Sequence, residues 1–590
     1  MKRSLHSIHV LLLLFVSLLL LPHIINTTSV ALDSSHHLLP RDDNTTTSSS
    51  TTSSGTSNTT NPTGTHSSSN STHIFHYNQT TVNRTAAFNV DYQLNCKVND
   101  DPFCAKVENG IRLALLEFAH VIDLKTKINI NITYHSFCDE GCSNSSYGFG
   151  IPSSQFILPF DTGPDLNHVY PQALAKQFVR SFDSSSVWAA SDVTIELNHD
   201  AYMQSVDYGK AESLGWNGTG IPPTGRFWFM DDPTSNINED QVDFRYVVLH
   251  ELMHGLGFLS SWAAYFWSST SPFRQLVENA LDDSLLKVVT PGMYWSVLEN
   301  YGPTFITGFQ STLIFDKFLV STQPSLANMS QLGFHMQEFC QQDTQAFILN
   351  FINSFQGTPQ YTNAVSLFDT MATPQTLFFD FATPAVANST FLTNAYLAAT
   401  YHNMTLLTGS AVLDTQLEQF DQTSSRPGTA ISHVDDDYNS TVDFLMTKGF
   451  LMGQTLEQLT DEMYGALPSA ITYSIITSNH SIVEHRNYTS PIGPGILRML
   501  DTMGYSTALT NTSYVATGSP SAKFRSSCDD INDNGVSSSN DDADSNSSSS
   551  GNNTGSAVSS GSTSFALALH PYFGSVLVPS PLLLLSFFLL

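Results

Sequence analysis

Positive charge is scarce in this sequence. Lysine and arginine together number 23 in 590 residues, against 52 aspartates and glutamates, so the formal net charge is -29. No basic run occurs anywhere, which argues against a nucleic-acid partner and for an acidic, solvated extracellular surface. Cysteine is sparse too: there are six, none in a Cys-x-x-Cys or Cys/His spacing, so a cysteine-held zinc site is not expected. Their even number suits an oxidising secretory route. Local pairing would join Cys96 with Cys104, Cys138 with Cys142, and Cys340 with Cys528. No internal repeat is visible. The 39 phenylalanines and 21 tyrosines are expected to fill the core rather than to form a stacking platform for a ligand.

The two ends lack the means to fold. Lys2 and Arg3 precede an apolar run from Val10 to Leu21, too short for a membrane span and followed by Pro22. Ser29-Val30-Ala31 then offers small residues for signal peptidase, so residues 1–31 read as a signal peptide. From Asn44 to Thr72 the chain is almost wholly Ser, Thr, Asn and Gly, and residues 32–86 read as a glycosylated linker or propeptide. Residues 508–564 form a second polar tract, a stalk. From Phe565 the chain turns apolar; small residues, a spacer and an apolar tail make 565–590 a glycolipid-anchor signal, with attachment expected between Gly555 and Gly561. Pro579, Pro581 and the missing basic flank argue against a spanning helix. Asn-x-Ser/Thr acceptors at Asn131, Asn217, Asn328, Asn388, Asn403, Asn439 and Asn487 agree with secretion.

Between these tracts the pattern is regular. Phe88 to Leu94 and Ile128 to Tyr134 alternate as strands, and Val107 to Ile122 is apolar at helical spacing. Leu166 to Phe182 reads as a helix, and Asp192 to Leu197 and Arg226 to Met230 as further strands. The order gives an α+β fold, with a sheet first and helices packed on it. Residues 261–415 read as an inserted domain, strand-like at Ser311 to Val320 and Leu377 to Phe381 and helix-like at Gln337 to Ser354. The flanking subdomains are 87–260 and 416–507.

One stretch carries chemistry: His250-Glu251-Leu252-Met253-His254, followed by Gly255, Leu256 and Gly257. Histidines four apart share one helix face, so both imidazoles can reach one tetrahedral metal. Glu251, beside the first, is placed to take a proton from water at that metal. Asn238 is the expected N-cap, with Gln241 three residues on, and Phe244, Val247, Val248, Leu249 and Leu252 supply the apolar stripe. Two histidines and a glutamate on so apolar a helix are costly to bury without a partner such as a metal.

A catalytic zinc takes three protein ligands. The compact pattern HExxHxxGxxH would place the third at position 260, and that residue is Ser260. Downstream candidates are His335, His402, His433, His480 and His485, or a glutamate, Glu278 or Glu299, in a gluzincin arrangement. His433 stands out, because Leu445-Met446-Thr447 follows it at a short distance. His250 to Phe258, Ser432-His433, Phe444-Leu445-Met446 and the run Pro494 to Tyr505 together resemble a leishmanolysin-type metzincin over roughly residues 88 to 507. In that family an inserted domain displaces the third histidine, a methionine turn follows it, and a helix closes the catalytic half. The resemblance implies a metzincin-like fold split between the second and third ligands and one Zn2+ per chain. It further implies His250, His254 and His433 as ligands, Glu251 as base and Met446 beneath the metal. Thr447-Lys448-Gly449 stands where family members often carry proline.

The expected activity is therefore zinc-dependent endopeptidase hydrolysis of a protein or peptide substrate at the cell surface. The expected address is the membrane or wall, reached through a lipid anchor. Two alternatives are a glycosylated adhesion protein that keeps the fold without catalysis, and a gluzincin-type protease.

Overall fold

Alternation of buried and solvated side chains builds the central sheet. In Val90–Cys96 (β2) the residues Val90, Tyr92, Leu94 and Cys96 are buried, and Ile128–His135 (β3) and Val193–Asn198 (β5) repeat the pattern with β-branched residues. Thr80–Ala87 (β1) and the glycine-rich Gly148–Pro152 (β4) complete five strands in the order β1-β2-β3-β5-β4. β2, β3 and β5 run parallel, and both outer strands pair antiparallel to their neighbours. In this computed structural model the described residues run from Thr80 to Leu509, less 140–145, 161–162, 165–166, 179–187, 234–235, 269–270, 298–302, 323–325, 382–394, 401, 415–430 and 477–481. The expected signal peptide, the linker up to residue 79, the stalk from residue 510, the anchor signal, and Cys142, Glu299, His480 and Cys528 lie outside them. The linker expected to reach residue 86 ends earlier, because Thr80 to Thr85 pair in register with Cys96 to Asp91.

Two helices cover one face of the sheet. Asp101–Val121 (α1) is capped by the Asp100 carboxylate, which accepts from the Phe103 N–H, and carries Pro102 in its first turn. Phe244–Gly255 (α2) is the motif helix, and every one of its side chains is buried. Close approach depends on glycine at two points. A Cβ on Gly110 would lie 2.6 Å from the Phe244 ring, and one on Gly255 would lie 2.2 Å from Val193 of β5. The N-cap of α2 is Asp243, which accepts from the Arg245 N–H, rather than the expected Asn238. Asn238 instead donates through its main-chain N–H and its amide to Gln241 Oε1, forming a local turn before the helix.

Five expected elements differ in extent from their sequence pattern. The strand at Arg226 to Met230 reduces to Phe227–Trp228, paired parallel with Val242–Asp243. The helix at Leu166 to Phe182 begins only at Gln172, because His168–Pro171 is an extended strand and proline disfavours helix in the residue before it. Within 261–415, the strand at Ser311 to Val320 is interrupted by a 3-10 turn, Ile314–Phe318. Of the helix expected at Gln337 to Ser354 only the part from Ile348 is α-helical, in Ile348–Phe355; Met329–Met336 is a separate helix that ends before it, and Asp343 takes a positive φ between the two. The last expected strand appears as Leu377–Asp380.

Residues 261–415 do not stand apart from the rest. Thr312–Leu313 pairs with His168–Val169, and one continuous hydrophobic core runs from Val90 through Phe315, Phe379 and Met446 to Leu509. After the segment come the 3-10 turn Phe444–Met446, the helix Leu456–Gly465 (α3) and the helix Pro494–Met503 (α4). Cys96 and Cys104 form a disulfide as expected; Cys138 and Cys340 each belong to a separate further disulfide. Among the described residues no helix is long and apolar enough to cross a membrane.

Candidate metal centre

The helical rise places His250 and His254 one turn apart, and their Nε2 atoms lie 3.2 Å from each other. His433, 183 residues further on, brings its Nε2 to 3.3 Å from His250 Nε2. Two nitrogens bound to one tetrahedral zinc at about 2.0–2.1 Å are about 3.3–3.4 Å apart, so both separations suit a shared ion. Among the described residues this trio is the group of metal-capable side chains whose ligand atoms come together, all within 4.8 Å of one another.

Hydrogen bonding sets the tautomers. His250 Nδ1 is 2.8 Å from the Leu445 carbonyl oxygen and His254 Nδ1 is 2.8 Å from the Phe258 carbonyl oxygen. A carbonyl only accepts, so each ring proton sits on Nδ1 and each Nε2 presents a lone pair. Lone pairs facing each other at 3.2 Å repel unless a positive charge lies between them. A proton is a poor candidate for that charge. Burial, with the neighbouring His254 adding to it, pushes His250 down to about 3, and burial pushes His254 down to about 4. The residues present therefore fit a zinc ion.

The backbone pins the third histidine from two sides. The Leu407 N–H donates to the His433 carbonyl at 2.9 Å, and the Val434 N–H donates to the Met446 carbonyl at 2.9 Å. Met446 is fully buried in its 3-10 turn, which packs against α2. Asp443 anchors that turn: its Oδ1 accepts from the N–H groups of Gly495 and Ile496 at the start of α4, and its Oδ2 from the Tyr396 hydroxyl. At the other end of α2, Gly257 takes φ +107 with Pro171 against it, and the Tyr505 hydroxyl donates to the Leu256 carbonyl at 2.8 Å. The sequence thus closes in space the helix end that the glycine opens.

Glu251 is 6% exposed and lies against β4, where a Cβ on Gly148 would come within 3.2 Å of its Oε1. The Phe450 ring is 4.9 Å from that of His250 and 5.3 Å from Tyr147, at the start of the same edge. The other candidate ligands are elsewhere. Glu278 is exposed and pairs with Arg274, His335 is exposed beside Glu338, and His402 is exposed. The side chain of His485 lies outside the described residues, as do Glu299 and His480. Asp443 and the β4 glycines carried no sequence signal, and Ser432 only one as the neighbour of His433, because each acts through a partner distant in the chain.

The molecule is thus an α+β protein with a three-histidine cluster, two of its members buried and His433 half-buried, and a glutamate beside it. It belongs to the SPBPB7E8-like family, whose profile matches residues 41–219 and 224–544; the second stretch contains all three histidines. An uncharacterized protein of Schizosaccharomyces pombe, PB7E8.01, is 24% identical over 433 residues, 67% of this chain and 58% of the relative. The matched region thus spans less than two thirds of that relative. No solved structure matches.

Proposed function

We propose that this protein is a zinc-dependent endopeptidase with a leishmanolysin-like metzincin catalytic half, acting on protein or peptide substrates at the cell surface. The observation that carries the reading is the meeting of His250, His254 and His433 around one point, with both helix histidines offering Nε2. Zinc held by these three would supply Lewis acidity, making water nucleophilic near neutral pH and polarising a carbonyl. Glu251, next to the first ligand in sequence, would accept the proton from that water and deliver it to the departing amine. β4, the outermost strand of its sheet, runs beside Glu251, where an extended peptide could add as a further strand. The Cys96–Cys104 disulfide and the exposed acceptors Asn217 and Asn487 support a secretory route, and a glycolipid tail would tether the enzyme.

The purified ectodomain should cleave casein or gelatin, lose that activity to a chelator and regain it with zinc. Absence of chelator-sensitive cleavage across unfolded protein substrates would overturn the reading.

A further inference from the structure

Ser260 occupies the position where a compact motif would carry its third histidine, and it is 1% exposed. Its main-chain N–H donates to Ser432 Oγ at 3.0 Å, and Ser432 is the residue before His433. Its hydroxyl donates to Asp316 Oδ1 at 2.6 Å. The other carboxylate oxygen, Asp316 Oδ2, accepts from the Ser261 N–H and hydroxyl and from the Leu313 N–H. Asp316 and Ser432 are both fully buried.

From these contacts we infer that Ser260, Ser432 and Asp316 are positioning residues for the third metal ligand, and that the segment inserted between the ligands supplies the anchor. The inference rests on the zinc reading of the three histidines. Five contacts of Asp316 and Ser260 have no bearing on metal by themselves, yet they converge on one link. Asp316 sits in the 3-10 turn Ile314–Phe318, and the Phe315 ring packs 4.9 Å from Phe258, whose carbonyl holds His254. A single buried carboxylate therefore fixes the loop leaving α2, and that loop fixes the residue beside His433. With the ligand so far along the chain, the local helix cannot orient it. The Asp316–Ser260–Ser432 relay does so together with the main-chain ties to Leu407 and Met446, acting on the backbone just before His433 rather than on its ring. A segment that displaces a ligand in sequence thus carries the group that restores it in space.

The test uses the full ectodomain, with zinc affinity measured by competition with a chromophoric chelator and coordination followed by the visible spectrum of the cobalt-substituted protein. Ser432→Ala, Ser260→Ala and Asp316→Asn should each weaken zinc about ten- to a hundredfold and shift the cobalt bands, because ligand geometry changes. A merely structural role would lower the melting temperature and leave the bands in place; folded variants with wild-type affinity and spectrum overturn the inference. Should Ser432→Ala not fold, Ser260→Ala decides, since it keeps the main-chain donor to Ser432 and removes the tie to Asp316 together with the local bond from the Trp262 N–H. Wild-type protein that takes up no zinc refutes the metal reading instead, which separates the two failures.

Discussion

His250 Nδ1 and the carbonyl oxygen of Leu445 are 2.8 Å apart, joining the first histidine of the motif helix to the residue before the turn methionine, 195 positions later. One hydrogen bond thus does two things. It fixes the tautomer that points Nε2 at the proposed metal, and it ties the Phe444–Met446 turn to α2. The same turn holds Val434 through the Met446 carbonyl, so His250 and His433 are supported by consecutive carbonyls of one short segment.

Glu251→Gln should leave zinc stoichiometry at the wild-type value and lower kcat by about 10²–10⁴, the usual worth of general acid–base assistance. Metal analysis and peptide hydrolysis on the same preparation check this. An active, zinc-loaded variant would remove Glu251 from the proton-transfer role.

His433→Ala should lose most bound zinc on desalting, whereas Glu278→Ala and His335→Ala should keep it. The contrast separates the three-histidine arrangement from the gluzincin one. Glu278 is exposed and engaged by Arg274, so its loss should change stability by less than about 1 kcal/mol.

The motif helix, α1 and the strands β2, β3 and β5 were legible in the sequence because each carries its own periodicity. β4 was not. Gly148-Phe149-Gly150 has little strand propensity, and the segment is extended because only glycine lets it lie on α2. The helix start was misplaced at Asn238 because Asn238 and Gln241 satisfy each other in a turn, leaving the cap to Asp243. His250, Glu251 and His254 were readable from spacing alone. His433 needed the methionine turn and a family resemblance, and Asp316, Ser260 and Ser432 could not be found, since a lone buried polar residue has no pattern until its partner is in place.

Gly150→Ala should be poorly tolerated. The new Cβ would meet the Glu251 main-chain oxygen at 1.8 Å, so either β4 leaves α2 or the helix shifts at the base itself. A loss of about 1–3 kcal/mol in chemical denaturation is expected, as for other overpacked sites, with a larger fall in activity than in fraction folded. Equal losses would mean that β4 does not bear on Glu251.

Asp443→Ala should cost about 3–5 kcal/mol, measured by urea unfolding. It strands the buried N–H groups of Gly495 and Ile496 and leaves the Tyr396 hydroxyl only its contact with Thr441 Oγ1. Asp443→Asn keeps an acceptor oxygen for the helix start and should cost less. Because the turn carrying Met446 begins at the next residue, zinc affinity should fall along with stability in Asp443→Ala.

Acid should destabilise the fold partly through His199. Burial pushes this imidazole down to about 4, against 6.5 for an unperturbed histidine, and its ring lies against Tyr202 and Phe103 with Nδ1 3.2 Å from the Tyr134 hydroxyl. Above pH 6.5 the group is neutral in both states and contributes no pH dependence. As pH falls from 6.5 toward 4, the unfolded chain takes up a proton that the folded protein refuses, so stability drops; the loss is complete below about pH 4. One pKa unit is worth about 1.4 kcal/mol, which gives about 2 kcal/mol lost by pH 5 and about 3 kcal/mol in full. His199→Gln cannot titrate. Urea unfolding at pH 7.5 and pH 5 with saturating zinc should therefore show a smaller pH-dependent loss in the variant than in the wild type, and identical losses would assign the acid sensitivity to other groups.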